Sequence, residues 1–490
     1  MVAVEAGRYV FQLRLPDWAR GILDAGRAQG MCSQGIPKVL VTRRAELVPL
    51  VVQVVWVVDA SLQMITWAWS KAWWLTGLAR PQYESRTTIM NKLFDKAKEQ
   101  LDKFNQGGGG FPGQHHGGGG SLSRTPTRKA VYPYPGQGPQ GPGDRTKVKA
   151  KHVEYHDRMQ FYHPQGHPHD TLRDLGFSGV LDGRAVWVFG DTLMGVEGKC
   201  HICAVDSTGI SPDLGRPMHV FDTNMNGSNV ANFIPLTPDE QKNGGYSCFS
   251  FGGTNIIEIA PNLGICYYLK IHRPGGKVTI HGAGVATVKL EGDSVHAMRF
   301  GEKLWTQNEP AWGDVGIMLD PRDNHIYAYG HGPASDKELG VRTFLCRVPK
   351  DKAGNVGAYE YWLNGKKQWT KERMTVHGLN GTHKIAHDDS VFQWMVINQA
   401  NPFWSNYFNC WLLLHGTSFG TSHVIAKTAD KLEGPWKDHG VVAETGPRHG
   451  EKDGLRYCQV GHPEFDDSGK TVLATWTKNN VIWGATVEWE

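Results

Sequence analysis

Four acidic side chains, Asp174, Asp191, Glu309 and Asp314, carry the chemistry this sequence could perform. Paired Asp and Glu residues flanking an acetal oxygen hydrolyse glycosides. One carboxyl protonates the leaving group and the other activates water or attacks. A separation of about 6.5–9.5 Å between the carboxyls gives inversion, and about 5–5.5 Å gives retention. Arg173, Asn255, Trp312, Asp388 and His462 stand at comparable places and read as substrate-binding groups. A Trp face stacks well on the C–H face of a sugar. Each residue also has a plainer use. Asp191, in Phe189-Gly190-Asp191-Thr192, can bond backbone amides at a strand end. Glu309 and Asp314 flank the bend Pro310-Ala311-Trp312-Gly313, and at least one of them can serve the bend. His462 fits a channel-facing position or a satisfied core site equally well. His167, His169 and Asp170 lie within four residues of one another, poor geometry for a closed metal site, so no metal site is expected.

These residues are far apart in the chain and need an architecture that gathers them. One hairpin pattern recurs at 176–192, 253–272, 312–332, 390–416 and 461–478. An apolar strand, a turn (LDGR, PNLG, PRDN, QANP, DDSG) and an aromatic-rich strand follow one another in each. The second strands, marked by Trp187, Tyr267, Tyr327, Trp411 and Leu473, are 80, 60, 84 and 62 positions apart. That spacing leaves room for two more strands per unit and predicts an all-β fold, a five-bladed β-propeller over 150–490, with a two-sheet sandwich as the alternative. In a propeller, the start of each inner strand and the end of the next strand share one mouth. Arg173, Asp174 and Asp191 would come from the first blade, and Thr254, Asn255 and His272 from the second. Glu309, Trp312, Asp314 and His331 would come from the third, His387, Asp388, Asp389 and His415 from the fourth, and His462 and Glu464 from the fifth. The second blade offers no carboxylate.

The formal net charge is +4 over 490 residues and basic residues are scattered, so a nucleic-acid partner is not expected. Among the 8 Cys only Cys200 and Cys203 are close together, which points to buried free thiols rather than a structural zinc centre. Residues 1–89 differ from the rest and contain the apolar run 47–67, long enough to span a bilayer but interrupted by Asp59. The extension reads as a membrane anchor, a buried extension or an incorrect gene start. Translation from Met90 would make the protein cytoplasmic, and a genuine span at 47–67 would anchor it to a membrane. Residues 90–105 carry the spacing of a short amphipathic helix. Residues 106–149, rich in Gly, Pro and Gln, read as a disordered linker.

Arg173-Asp174-Leu175-Gly176, the strand Val186–Thr192 (VWVFGDT), Leu432-Glu433-Gly434-Pro435-Trp436 and His462-Pro463-Glu464-Phe465 together resemble the family called domain of unknown function 4185. That family is similar in architecture to the arabinanases, invertases and levansucrases, and some bacterial members are endo-D-arabinofuranosidases. The resemblance covers about 150–490. It implies a glycoside hydrolase acting on a furanoside or another polysaccharide. It matches Asp174 to the first-blade carboxylate, as general base or nucleophile, and Glu309 or Asp314 to the third-blade acid. Asp191 would fix the pKa or orientation of its partner. The missing second-blade acid keeps open a non-catalytic carbohydrate-binding or interaction propeller. Residues 206–250 read as an insertion capping the channel. No cofactor is implied beyond a structural Ca2+ or halide in the channel near His462.

Overall fold

A computed structural model describes residues 2–6, 9–13, 40–41, 126, 128–196, 199–393, 399–416, 423–446 and 455–490. The chain divides into two units, Met1–Pro81 and Gln82–Glu490. In the first, Val2–Ala6, Tyr9–Leu13 and Leu40–Val41 pair as a three-stranded antiparallel sheet. The run 47–67 and the segment 90–105 lie outside the described residues. Among the described residues, no helix is long and apolar enough to cross a membrane.

The second unit is all-β and propeller-like. Among the described residues, beside two small two-stranded sheets, five larger ones of seven, six, five, four and four strands follow one another along it. Their hairpins are Thr171–Leu181 with Arg184–Val196, Phe249–Gly253 with Leu263–His272, Ala311–Asp320 with His325–His331, Phe403–Ser405 with Cys410–His415, and Arg456–His462 with Thr471–Lys478. Turn chemistry explains the first hairpin: Asp182 and Gly183 both adopt positive φ, 49° and 70°, as a two-residue turn between twisted strands requires. In the fourth, the turn lies at Asn406–Asn409 and not at QANP (399–402). Asn409 takes the left-handed conformation, φ 50°, which Asn tolerates well.

Each sheet contacts the next. Asn255 links the second to the third by donating from Nδ2 to the Ile317 carbonyl (2.6 Å) and accepting from the Ile317 amide at Oδ1 (3.0 Å). The Ala400 amide donates to the Val315 carbonyl (3.0 Å) between the third and fourth. Phe403 and Leu414 of the fourth sheet approach Gly461 of the fifth. The first and fifth meet where Ser178 Oγ contacts His462 Nδ1 and Glu464 Oε1. Large apolar side chains fill the space between sheets, with Trp187, Trp305, Trp312, Trp411 and Trp489 fully buried. A strand from early in the chain, Ala150–Tyr155, pairs antiparallel with the last one, Val481–Trp489. It supplies the fifth sheet's fourth strand and covers an edge that would otherwise be open.

Two expectations change here. Of the supposed linker 106–149, the described part from 128 onward is packed: Tyr132 and Val148 are buried, and the Gly141 and Gly143 amides donate to the Asn406 and Tyr407 carbonyls (2.8 and 3.0 Å). Its Tyr and Val side chains provide apolar anchors that a Gly/Pro count overlooks. The stretch 206–250 is only partly an insertion. Ser207–Ser211 pairs directly with Arg184–Val196, and His219–Asp222 extends the same sheet.

Candidate active site

Strand alternation and local bulges build the site. On Thr171–Leu181, Arg173 and Asp174 point to opposite faces, as successive strand residues must. The pairing shifts on both sides of Leu175, between Arg173 and Leu175 and again before Phe177, and Leu175 and Gly176 adopt φ 65° and 82°. A matching irregularity lies between Ala311 and Gly316, with Gly313 at φ 84° just before Asp314. A third lies between Tyr457 and Val460, where Cys458 has φ 55°. Bulges of this kind turn side chains away from the regular pleat and are common beside active sites.

The outcome is a partly open pocket of about 70 Å³, lined by Asp174, Asp191 and Asp314 together with His331, Ser250 and Gln399. Asp174 Oδ2 accepts a hydrogen bond from the Tyr457 hydroxyl (2.9 Å), and Oδ1 is buried without a hydrogen bond. Burial, then the neighbouring Asp191 charge, pushes the Asp174 carboxyl up to about 7, although Tyr457, Arg273 and the Asp191 amide act in the other direction. A Cβ on Gly190 would stand 2.3 Å from Asp174 Oδ1, so only glycine leaves room for this carboxyl. Both Asp191 oxygens accept from Arg273 Nη1 at 3.0 Å. Asp314 Oδ1 accepts from the His331 amide (2.9 Å), and its Oδ2 lies 3.2 Å from His331 Nδ1. Behind the pocket, Asp206 accepts from the Phe233 and Ile234 amides (2.9 and 2.8 Å), and burial raises its carboxyl to about 7.

A family model for a domain of unknown function, DUF5005, matches residues 174–485. The chain belongs to the DUF5005 family. This number differs from the 4185 family that its motifs resemble. No curated protein matches the sequence. Solved structures similar to this DUF5005 chain include a Bacteroides ovatus protein at 14% identity and TM-score 0.44, covering 64% of this chain and 85% of that one. An alpha-L-arabinofuranosidase from Clostridium thermocellum has 14% identity and TM-score 0.36, covering 62% and 82%. An exo-beta-1,3-galactanase from Phanerochaete chrysosporium has 10% identity and TM-score 0.38, covering 70% and 64%. With TM-scores below 0.5, these likenesses carry no argument about activity.

The remaining expected residues of the DUF5005 chain lie away from this pocket. Glu309 is held by Arg373 (2.9 and 2.8 Å) and accepts from the Thr306 amide (3.0 Å), so it secures the bend before the third sheet. Arg173 is fully buried, paired with Asp222 (2.5 Å) and stacked over Phe161 and Phe189. Trp312 is core, packed against Tyr361, and Asn255 is the bridge between sheets. Asp388 is exposed in a short turn, His387–Asp389. His462 ends the inner strand of its hairpin instead of beginning it, so it stands at the far end from the pocket mouth. Its Nε2 bonds Thr475 (2.7 Å) and its Nδ1 faces Ser178, while burial lowers its pKa to about 3. With both ring nitrogens engaged, His462 does not fit the Ca2+ or halide that the motifs imply.

Arg273 and Tyr457 are groups that sequence reasoning missed. Arg273 comes one residue after His272, at a strand end the mouth rule already marks. Tyr457 is the second residue of the fifth inner strand, which begins five residues before the expected hairpin.

Proposed function

We propose that the pocket hydrolyses glycosidic bonds, and that the five sheets are the blades of one propeller whose mouth it occupies. The observation that carries this reading is the meeting of Asp174, Asp191 and Asp314 in one pocket, with Asp174 raised to about 7. Neighbouring carboxyls whose environments push them to different protonation states divide naturally into acid and base. Asp174 takes the general-acid role, exchanging roles with the third-sheet carboxylate relative to the sequence expectation, because burial and Asp191 keep its proton on near neutral pH. Asp191, held by Arg273, adds to the effect of burial on that pKa. Asp314, oriented by His331, activates water or attacks the anomeric carbon. The substrate class, a furanoside or another extended polysaccharide, follows from the motif resemblance.

The test is reducing-end release by the full chain on a panel of polysaccharides. On the substrate that is cleaved, Asp174→Asn should lower kcat by about 10²–10⁴ with unchanged thermal unfolding. Full activity in Asp174→Asn would overturn the assignment. Saturable binding without release on any substrate would favour a carbohydrate-binding propeller.

A further inference from the structure

We propose that His163, His169 and Asp222 form a binding site for a divalent transition metal ion of the zinc class, separate from the acidic pocket. One donor atom from each lies within 4.8 Å of the other two. Two imidazoles and one carboxylate are the donor set of zinc, cobalt or nickel, whereas calcium and magnesium require an oxygen cage. Outer contacts orient two of the ligands. His169 Nδ1 faces Thr171 Oγ1, which leaves Nε2 directed at Asp222 Oδ2, 2.8 Å away. Asp222 Oδ1 accepts from Arg173 Nη2 (2.5 Å), so one oxygen is anchored and the other is presented. Hydrogen bonds of this kind to the non-coordinating atom of each ligand are typical of metal sites. The His163 ring centre is 4.4 Å from that of His169.

Position explains what the ion would do. His163 and His169 flank the turn between Gln160–Tyr162 and Pro168–His169, the outer hairpin of the first sheet. Asp222 ends the neighbouring strand, His219–Asp222. A bound ion would replace the direct His169–Asp222 contact and tie the hairpin to that strand, with water completing the coordination. The sequence view paired His169 with His167 and Asp170. The fold selects His163 and Asp222 instead, and Asp170 pairs with Arg158 (3.0 Å).

The test uses the full chain carrying His115→Ala and His116→Ala, so that these two consecutive histidines, which could also bind a metal ion, contribute no signal. After chelator treatment and dialysis, Co2+ is titrated while the visible d–d absorption is followed, and Zn2+ is then added to displace it. One Co2+ per chain is expected, displaced by Zn2+. His163→Ala should weaken binding at least tenfold with apo-protein unfolding unchanged, and Thr171→Val should weaken it about 10–100-fold. No Co2+ absorption, or equal binding in His163→Ala, would overturn the proposal. If Thr171→Val or His163→Ala unfolds early, metal content of the parent by elemental analysis decides: about one zinc per chain supports the site, none rejects it.

Discussion

At Asp174, burial and Asp191 favour the proton, while Tyr457 and Arg273 favour its loss. Tyr457→Phe removes one group that stabilises the ionised form, so the Asp174 pKa should rise further. If Asp174 is the acid, activity falls as pH rises through about 7, and Tyr457→Phe should move that limb to higher pH. A pH–kcat profile checks this, and an unmoved limb counts against Asp174 as the acid. Glu464 makes the same argument for stability. Burial raises it to about 7 from 4.5, so between those values the folded chain holds a proton that the unfolded chain has lost. Its contribution is present in full below pH 4.5 and is lost as pH rises to 7. Glu464→Gln should flatten the fall in Tm between pH 5 and 7, roughly the window where burial titrates this group, and an unchanged slope would reject the assignment.

At the scale of elements, the sequence signals differed in strength. The turn at Asp182-Gly183 was readable because its positive φ values demand those residue types. The bulges at Leu175 and Cys458 were not, since Leu and Cys carry no preference for a left-handed backbone, whereas Gly313 ends a bend that its residue types announce. The three aim Asp174, Asp314 and Tyr457, so the sequence marked both carboxylates as candidates without showing that a tyrosine stands beside one of them. The fifth hairpin was set too late because RYCQVGH has no clean alternation, being buried along its length. Asn255 shows how a polar residue at a strand start can be structural. Its side chain mimics a neighbouring strand and satisfies both polar groups of Ile317. Asn255→Leu should cost about 2–4 kcal/mol by chemical denaturation, since it leaves a buried amide and a buried carbonyl unpaired. A loss below about 0.5 kcal/mol would mean that water replaces the side chain there.

For the whole molecule, the decisive contact joins distant parts of the chain. Ala150–Tyr155 completes the sheet that ends at Trp489. Removing residues 1–156 should expose that edge, and should lower Tm and promote aggregation relative to removing 1–125. Equal stability of the two truncations would show that this strand does not close the fold. The sequence by itself determined the all-β repeat, the turn positions of most hairpins and the acidic candidates, because residue types and short spacings dictate those features locally. Only the tertiary structure decided which carboxylates share a pocket. Burial, like-charge proximity and the companions Arg273 and Tyr457 depend on strands brought together from different sheets, and no local pattern encodes those distances.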